Sequence, residues 1–404
     1  MAYVHRVLTD ELTRAARAFP ALILTGPRRA GKTTLLRRVF PSASYHLLED
    51  PDVVARLRAD PRTFLDELAL PAILDEIQNT PEILNYIRAR IDRTPQKRGQ
   101  WILTGSQEAP LMQGVTESMA GRAAVLQLLP FSTQEHAKVS PLRGGFPEVL
   151  ARPSTASLWF RSYLQTYLER DVRSVSAIRD LATFRRFLSL LASRCGQMLN
   201  KTDLATPLGV SVPTITEWLS ILETTEQILL VPPFYENFGK RLVKSPKLYF
   251  VDSGLASHLL GIESERALNR SPFLGAIFEG FVASEVVKQQ LNSGRRKELY
   301  YFRDHQGLEV DLVVPTGAGS LAFIEAKASR TVTPTMAQPL TRLRAAVRRY
   351  DVTNLLVHRG TDSEASLTAI LPGVRAVSVA RLGSLLTPGQ RRRHAIRRTA
   401  TGPL

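Results

Sequence analysis

The residues of this 404-residue sequence that are best suited to chemistry form a short segment near the N-terminus. The segment reads Gly26, Pro27, Arg28, Arg29, Ala30, Gly31, Lys32, Thr33 and Thr34. It follows an apolar run from Ala21 to Thr25 and precedes a helical pattern, which is the context that the G-x-x-x-x-G-K-[ST] pattern requires. Backbone N–H groups at such a helix N-terminus wrap phosphate oxygens, Lys32 neutralises them, and the Thr33 hydroxyl binds Mg²⁺. The segment therefore predicts a site for ATP and Mg²⁺.

A pair of acidic residues closes a second apolar strand about forty residues downstream, in the sequence Ile73-Leu74-Asp75-Glu76. In phosphate-loop enzymes a carboxylate at this place holds Mg²⁺, and a neighbouring one polarises the attacking water. We assign the first role to Asp75 and the second to Glu76. An acidic pair at a strand end is by itself more often a solvated end or a helix cap. Together with the phosphate loop, the pair favours hydrolysis of the nucleotide over binding alone.

Two further features are weaker indications of a catalytic role. The apolar run from Trp101 to Leu103 ends in Thr104-Gly105-Ser106, so the Ser106 hydroxyl is a candidate for contact with the γ-phosphate. Arg122 precedes the next apolar run, and a guanidinium that reaches the transferred phosphoryl group of a neighbouring subunit stabilises its developing charge. An equally good alternative is an arginine at a helix end that faces solvent.

The C-terminal third contains a second set of residues with possible chemistry. Asp311 lies in one apolar run, Glu325-x-Lys327 in the next, and Glu279 in a preceding helical segment. Carboxylates that converge on Mg²⁺ or Mn²⁺ beside a lysine can hydrolyse a phosphodiester, so these residues predict a possible nuclease site with a second metal. The alternative is that Lys327 neutralises Asp311 in an inactive nuclease fold that only binds DNA.

Short apolar runs alternate with helical patterns over the first 130 residues, which predicts an α/β fold with a parallel sheet covered by helices on both faces. The predicted strands are Ala21–Leu24, Tyr45–Leu48, Ala72–Leu74, Trp101–Leu103 and Ala124–Leu128. Pro130 and the segment Pro141–Pro147 interrupt the alternation. The phosphate loop and Asp75 each follow a predicted strand, so the sheet would bring them to one edge.

The remainder divides into a helical part and a second α/β part. Two amphipathic segments between Lys201 and Leu222 flank Gly209, with Ser211 as the predicted N-cap of the second, and this spacing is typical of a helix-turn-helix. Strand-like segments at Ile228–Val231 and Lys247–Val251 would supply a wing. Beyond these, the pattern predicts a helix followed by three strands, at 275–290, 299–302, 309–314 and 321–326.

Composition limits the class of protein. The length predicts two or three domains, and the absence of an apolar run of about 20 residues predicts a cytoplasmic protein that does not span a membrane. The single cysteine, Cys195, excludes an internal disulfide. The chain has 53 Lys and Arg against 37 Asp and Glu, a net charge of +16 that favours DNA as a partner. The alternative is an arginine-rich composition caused by codon bias.

Several motifs together resemble those of a family of prokaryotic AAA-type ATPases with a C-terminal domain of unknown function. Besides the phosphate loop and the acidic pair, the motifs are Ile102-Leu103-Thr104-Gly105-Ser106, Ala120-Gly121-Arg122, Gly144-Gly145-Phe146-Pro147-Glu148, Val251-Asp252-Ser253-Gly254-Leu255, Phe278-Glu279-Gly280-Phe281-Val282, Glu309-Val310-Asp311 and Ile324-Glu325-Ala326-Lys327. The resemblance covers nearly the whole chain. It implies an AAA-like core, a winged helix and a PD-(D/E)XK nuclease-like domain, and it favours the arginine-finger role of Arg122.

These observations predict five segments: an ATPase core at 1–130, a helical lid or linker at 131–195, a winged helix at 196–262, the nuclease-like domain at 272–388 and a disordered basic tail at 389–404. Our first hypothesis is a homo-oligomeric, ATP-driven machine that processes DNA. The second is a switch in which ATP controls assembly and the C-terminal half binds a protein partner. A small-molecule kinase fits poorly, because no acceptor pocket with its own base follows the phosphate loop.

Overall fold

The computed structural model describes residues 3–105, 119–168, 180–234, 245–347, 349–360 and 369–386. The N-terminal part contains a five-stranded sheet whose strands are β1 (Ala21–Thr25), β2 (Ser44–Leu47), β3 (Ala72–Asp75), β4 (Trp101–Thr104) and β5 (Ala123–Gln127). Their order is β2-β3-β4-β1-β5, and every pairing is parallel. The predicted parallel-sheet core is therefore confirmed.

Helices cover both faces of this sheet because each buried strand presents apolar side chains to both sides. The helices are α1 (Thr9–Ala18), α2 (Lys32–Val39), α3 (Pro51–Ala59), α4 (Pro61–Asp66) and α5 (Ile83–Arg93). Leu22 and Leu24 of β1 pack with α1 and α2, whereas Ala21 and Ile23 pack with α3, α4 and α5. All five residues of β1 are buried, so the strand that carries the phosphate loop is held from both sides.

A helical part follows the core. Its helices are α6 (Pro147–Ala151), α7 (Ala156–Tyr163), α8 (Leu181–Ser193), α9 (Lys201–Leu208) and α10 (Val212–Thr224), and strands β6 (Ile228–Val231) and β7 (Lys247–Phe250) pair antiparallel after them. Helix α9 ends at Gly209 with φ +67°, and the Ser211 hydroxyl caps α10 by accepting a bond from the Thr214 N–H at 3.2 Å. The expected helices and strands are present, and the winged-helix assignment stays a prediction.

The C-terminal part is a mixed sheet of six strands with helices on its faces. It contains α11 (Ser253–Leu259), α12 (Glu265–Arg270), α13 (Leu274–Asn292), β8 (Tyr300–Arg303), β9 (Glu309–Gly317), β10 (Ser320–Lys327), α14 (Gln338–Ala346), β11 (Asp351–His358), β12 (Ala369–Leu371), β13 (Val374–Ser378) and α15 (Val379–Leu386). The strand order is β12-β13-β11-β10-β9-β8. Helices α13 and α15 pack on one face and α14 on the other. The nuclease-like assignment of this part remains a prediction.

The parts of the chain share their cores. The largest apolar cluster joins Leu129 and Phe131 to α13, β7 and the C-terminal sheet. Glu285 on α13 accepts hydrogen bonds from the N–H and hydroxyl groups of Thr133, at 2.7 and 2.6 Å, and Lys288 donates to the Phe131 carbonyl at 3.1 Å. Side-chain packing and buried hydrogen bonds thus cross the predicted boundary at residue 130, and the predicted boundaries themselves stay predictions. Within the described residues, no helix has the length and apolarity needed to cross a bilayer.

Candidate nucleotide site and a second charged cluster

The loop between β1 and α2 has a backbone conformation that its glycines permit. Gly26 and Gly31 have φ values of +143° and +98°, and Arg29 between them also has a positive φ of +64°. A Cβ atom at Gly26 would lie 2.1 Å from the carbonyl oxygen of Leu128, so no larger residue fits there. The loop therefore passes close to the end of β5 and opens into a cavity of about 380 Å³, of which it forms one wall.

Lys32 begins α2 and is only 6% exposed. Its ammonium donates to the carbonyl oxygens of Gly26 and Pro27, at 2.7 and 3.1 Å. Burial lowers the pKa of Lys32, and the nearby carboxylates of Glu76, Glu226 and Asp75 oppose that effect. The ammonium donates to neutral loop carbonyls, and an incoming phosphate would offer it charged oxygens in their place.

Asp75 lies at the end of β3 and accepts hydrogen bonds from three hydroxyl groups. Thr33 and Tyr45 both donate to its Oδ2 at 2.7 Å, and Thr104 donates to its Oδ1 at 2.8 Å. The structure thus brings the two predicted metal-binding residues, Thr33 and Asp75, into direct contact. An oxygen pair of this kind, open to a cavity beside the phosphate loop, fits Mg²⁺.

Sequence reasoning did not identify Tyr45. It lies in β2, two residues before the residue that pairs with Asp75 in β3. Burial, followed by the hydrogen bond to Asp75, raises the pKa of the Tyr45 phenol, so the group stays a neutral donor. The pattern of apolar residues located the strand, but only the pairing of β2 with β3 shows that this hydroxyl reaches the carboxylate.

Glu76 follows Asp75 with a left-handed backbone, φ +60°, which is uncommon for a residue other than glycine. The side chain lines the cavity and accepts a hydrogen bond from Gln78. Such a conformation is found at functional sites, where the surrounding structure holds it in place. The Glu76 carboxylate therefore lines the same cavity as the phosphate loop. The predicted role of Glu76, which is to polarise the attacking water, requires this position.

Two acidic residues at the rim of the cavity pair with arginines of the loop. Arg28 lies 3.3 Å from Glu49, and Arg29 lies 3.6 Å from Glu148 on α6. Glu148 belongs to the motif Gly144-Gly145-Phe146-Pro147-Glu148, for which the sequence predicted no role at the nucleotide site. Its position shows that a helix beyond the core sheet also borders the cavity.

The two weaker catalytic candidates, Ser106 and Arg122, differ in what the structure describes of them. Ser106 lies outside the described residues, and Thr104 of the same motif supplies the hydroxyl that meets Asp75. Arg122 forms two hydrogen bonds to Asp92, at 2.6 and 3.0 Å. Its carbonyl accepts from the N–H of Ala21, which begins β1, whereas the phosphate loop follows the other end of that strand. At about 3.3 Å per residue the two ends are roughly 13 Å apart, so Arg122 lies at the end of the strand opposite to the phosphate loop of its own chain.

The structure also brings together the four C-terminal candidates, and a lysine that sequence reasoning missed pairs with two of them. Lys247 of β7 is 2% exposed, and its ammonium lies 2.9 Å from Glu279, 2.6 Å from Glu309 and 3.9 Å from Asp311. Lys327 pairs instead with Glu325, at 2.6 Å. Lys247 and Lys327 both favour the ionised form of Asp311, so the two-stranded sheet adds a second cation to the alternative in which Lys327 neutralises Asp311.

Burial raises the pKa values of Glu279, Asp311 and Glu325. The pKa of Glu279 rises to about 7 and that of Glu325 to about 8, in each case through burial and then through the negative charge of Asp311. Within the described part of the chain, no three carboxylate, histidine or cysteine side chains are placed to hold a metal ion. The second metal predicted for this cluster stays a prediction.

Models of three protein families match successive parts of the chain. The model of an AAA domain matches residues 18–137, and models of two domains of unknown function, DUF8612 and DUF4143, match residues 135–266 and 274–378. The predicted ATP-binding, AAA-type core is confirmed by the first of these. A Walker-type ATPase of Pyrococcus abyssi, PABY2304, is a distant structural likeness, with a TM-score of 0.43 and 16% identity over 62% of this chain and 94% of that chain.

Two mycobacterial proteins are similar over most of this chain. They carry the names "Uncharacterized protein Mb2031c", from Mycobacterium bovis, and "Uncharacterized protein Rv2008c", from Mycobacterium tuberculosis. Each is 33% identical to this chain over 348 residues, which cover 84% of this chain and 77% of the relative. The similarity extends well beyond the AAA domain into the C-terminal half.

Proposed function

The chain belongs to the same protein family as Mb2031c and Rv2008c, and we propose that it is a Mg²⁺-dependent ATPase that hydrolyses ATP at the loop between β1 and α2. The observation that carries this proposal is the 2.7 Å contact between Thr33 and Asp75, beside Lys32 and Glu76 on the same cavity. A phosphate loop that only bound nucleotide would not need the second carboxylate.

In this proposal each residue has a distinct task. The loop N–H groups and Lys32 bind phosphate oxygens, with Lys32 exchanging its contacts to the Gly26 and Pro27 carbonyls for contacts to phosphate. Thr33 and Asp75 would hold Mg²⁺, which supplies charge neutralisation of the phosphates when bound. Glu76 orients a water molecule and accepts its proton.

The test compares ATP binding and turnover in Lys32→Ala and Glu76→Gln. Lys32→Ala should lose binding, whereas Glu76→Gln should retain it and lose turnover by about 100-fold or more, the size typical of removing a general base. Lys97→Ala and Glu217→Gln change exposed residues of the same types and should behave as wild type. Turnover in Lys32→Ala equal to that of wild type would exclude this site.

We further propose that the ATPase acts on DNA as a homo-oligomer in the cytoplasm, with Arg122 reaching the site of a neighbouring subunit. The net charge of +16 supports the first part, and the position of Arg122 away from its own phosphate loop supports the second. Mixing Lys32→Ala chains with Arg122→Ala chains tests the shared site. Partial recovery of turnover is expected, because a mixed interface unites an intact loop with an intact arginine, and no recovery would contradict it.

A second candidate function is supported by two specific observations. Helix α10, the second helix of the predicted helix-turn-helix, contains two glutamates and no lysine or arginine, which suits a protein partner better than phosphate groups. The ammonium of Lys247 pairs with Glu279 and Glu309, so a lysine already neutralises part of the C-terminal carboxylate cluster. The alternative is a nucleotide-controlled switch that binds a protein partner and has an inactive nuclease fold.

Turnover and strand cleavage on single-stranded, duplex and branched DNA separate the two functions. Stimulated turnover that weakens with salt supports action on DNA, since counterion release makes such binding salt-dependent. Cleavage with Mg²⁺ or Mn²⁺ that is lost in Asp311→Ala would establish a nuclease. No response of turnover to any DNA supports the protein-partner switch.

A further inference from the structure

Arg6 lies before α1 and is almost fully buried, with 3% of its surface exposed. Its guanidinium donates to the carbonyl oxygen of Ala30 in the phosphate loop at 3.1 Å and to that of Leu129 at 2.6 Å. It also pairs with Glu135 at 2.9 Å and lies over the ring of Phe131, 4.4 Å from its centre. One side chain from outside the motif thus connects the phosphate loop to the segment that follows β5.

The bond to Ala30 fixes the direction of the next N–H group. In a trans peptide the C=O of one residue and the N–H of the next point in opposite directions. Because Arg6 holds the Ala30 carbonyl, the N–H of Gly31 points away from Arg6. Gly31 lines the cavity of the nucleotide site, whereas Ala30 is fully buried behind it.

This peptide needs an external support because both flanking residues have unusual backbone angles. Arg29 and Gly31 have φ values of +64° and +98°, so neither belongs to a regular helix that would fix the Ala30–Gly31 peptide by itself. Helix α2 begins only at Lys32. A bidentate guanidinium, with one donor on the loop and one on the Leu129 carbonyl, holds the peptide against the sheet edge.

Glu135 holds Arg6 in this orientation, and each of its two carboxylate oxygens accepts two hydrogen bonds. Its Oε1 accepts from Arg6 and from the Val7 N–H at 3.0 Å, and its Oε2 accepts from the N–H and hydroxyl of Ser132 at 2.9 and 3.1 Å. A buried ion pair of this kind is a poor source of stability compared with apolar packing. Its value here is the orientation that it imposes.

We propose that Arg6 is a positioning residue for nucleotide binding, which holds the Ala30–Gly31 peptide so that the Gly31 N–H faces the β-phosphate. The proposal rests on the ATPase function proposed above and adds to it a residue outside the loop motif. Arg6 does not touch the nucleotide, and its effect is confined to ligands that carry a β-phosphate.

The test measures the affinities of ADP and AMP for the full chain, together with its thermal unfolding. Arg6→Met retains an unbranched stem over Phe131 and removes all donors, whereas Arg6→Lys keeps a positive charge opposite Glu135 but cannot reach all three acceptors. Arg14→Met removes an exposed arginine from α1 and serves as the control. Affinities are measured well below the unfolding temperature of every variant.

Arg6→Met should weaken ADP binding by about tenfold or more, the size of a lost hydrogen bond to a charged group, and Arg6→Lys by less. The AMP affinity of the Arg6 variants should stay within about twofold of the wild-type value, and so should the ADP affinity of the Arg14→Met control. A twofold change is too small to represent a lost hydrogen bond. A lowered unfolding temperature with ADP affinity unchanged in both Arg6 variants would overturn the proposal. If Lys32→Ala loses ADP binding but the Arg6 variants do not, only this inference fails, whereas a wild type that does not bind ADP overturns the proposed function as well.

Discussion

Replacing Lys247 by methionine removes the ammonium from the buried acidic cluster while keeping a side chain of similar length. The ammonium lies 2.9 Å from Glu279, 2.6 Å from Glu309 and 3.9 Å from Asp311. Removing one partner of a buried ion pair typically costs about 3–5 kcal/mol, because the remaining charges stay buried without compensation. We expect a loss of stability of that order at pH values where the carboxylates are ionised.

The size of the loss should depend on pH. Burial and the charge of Asp311 raise the pKa of Glu279 to about 7, from an ordinary value of 4.5. Between these values the folded chain binds a proton that the unfolded chain has released, so the contribution of Glu279 to stability is complete below pH 4.5 and is lost as the pH rises through 7. For this group alone the difference corresponds to roughly 3 kcal/mol. Without Lys247 the pKa of Glu279 rises further, so the loss of stability should be larger at pH 8 than at pH 5, two values that lie on either side of the folded-state pKa of about 7.

Thermal unfolding followed by circular dichroism at these two pH values measures the effect. Lys247→Met should lower the unfolding temperature much more at the higher pH, and adding Glu279→Gln should recover part of the loss. Lys97→Met changes an exposed lysine and should have no such effect. An equal decrease at both pH values would refute the electrostatic reasoning and assign the role of Lys247 to packing.

Three further substitutions test the nucleotide site and its connection to the helices. Gly26→Ala should abolish ATP binding, measured with a fluorescent nucleotide, because the added carbon would lie 2.1 Å from the Leu128 carbonyl oxygen; binding within twofold of wild type would contradict the loop geometry. Tyr45→Phe removes one of two hydroxyls on Oδ2 of Asp75, so the Mg²⁺ concentration that supports half-maximal turnover should shift by about threefold, with nucleotide affinity retained. Asp252→Asn places an amide donor where a carboxylate accepts a backbone N–H at 2.7 Å, and should lower stability to denaturant by about 1–3 kcal/mol; an unchanged midpoint would show that this contact contributes little.

The sequence by itself located the candidate nucleotide site and most of the elements around it. The phosphate loop, Asp75 and Glu76 were identified because a short motif and its flanking strand and helix are local features of the chain. The same holds for α9 and α10, whose boundaries follow from Gly209 and Ser211. Local periodicity and capping decide such features before any long-range contact forms.

Only the tertiary structure decided which distant side chains complete each site. The strand order β2-β3-β4-β1-β5 places β2 beside β3, and this pairing brings Tyr45 to Asp75. Arg6, in the segment before α1, donates to the carbonyl oxygen of Ala30. Lys247 lies in the acidic cluster because β7 packs against α13. No local pattern marks these residues, since each lies in an ordinary segment and gains its partners through burial and strand order. Their roles follow from packing in three dimensions, where charges far apart in the chain must be paired once water is excluded.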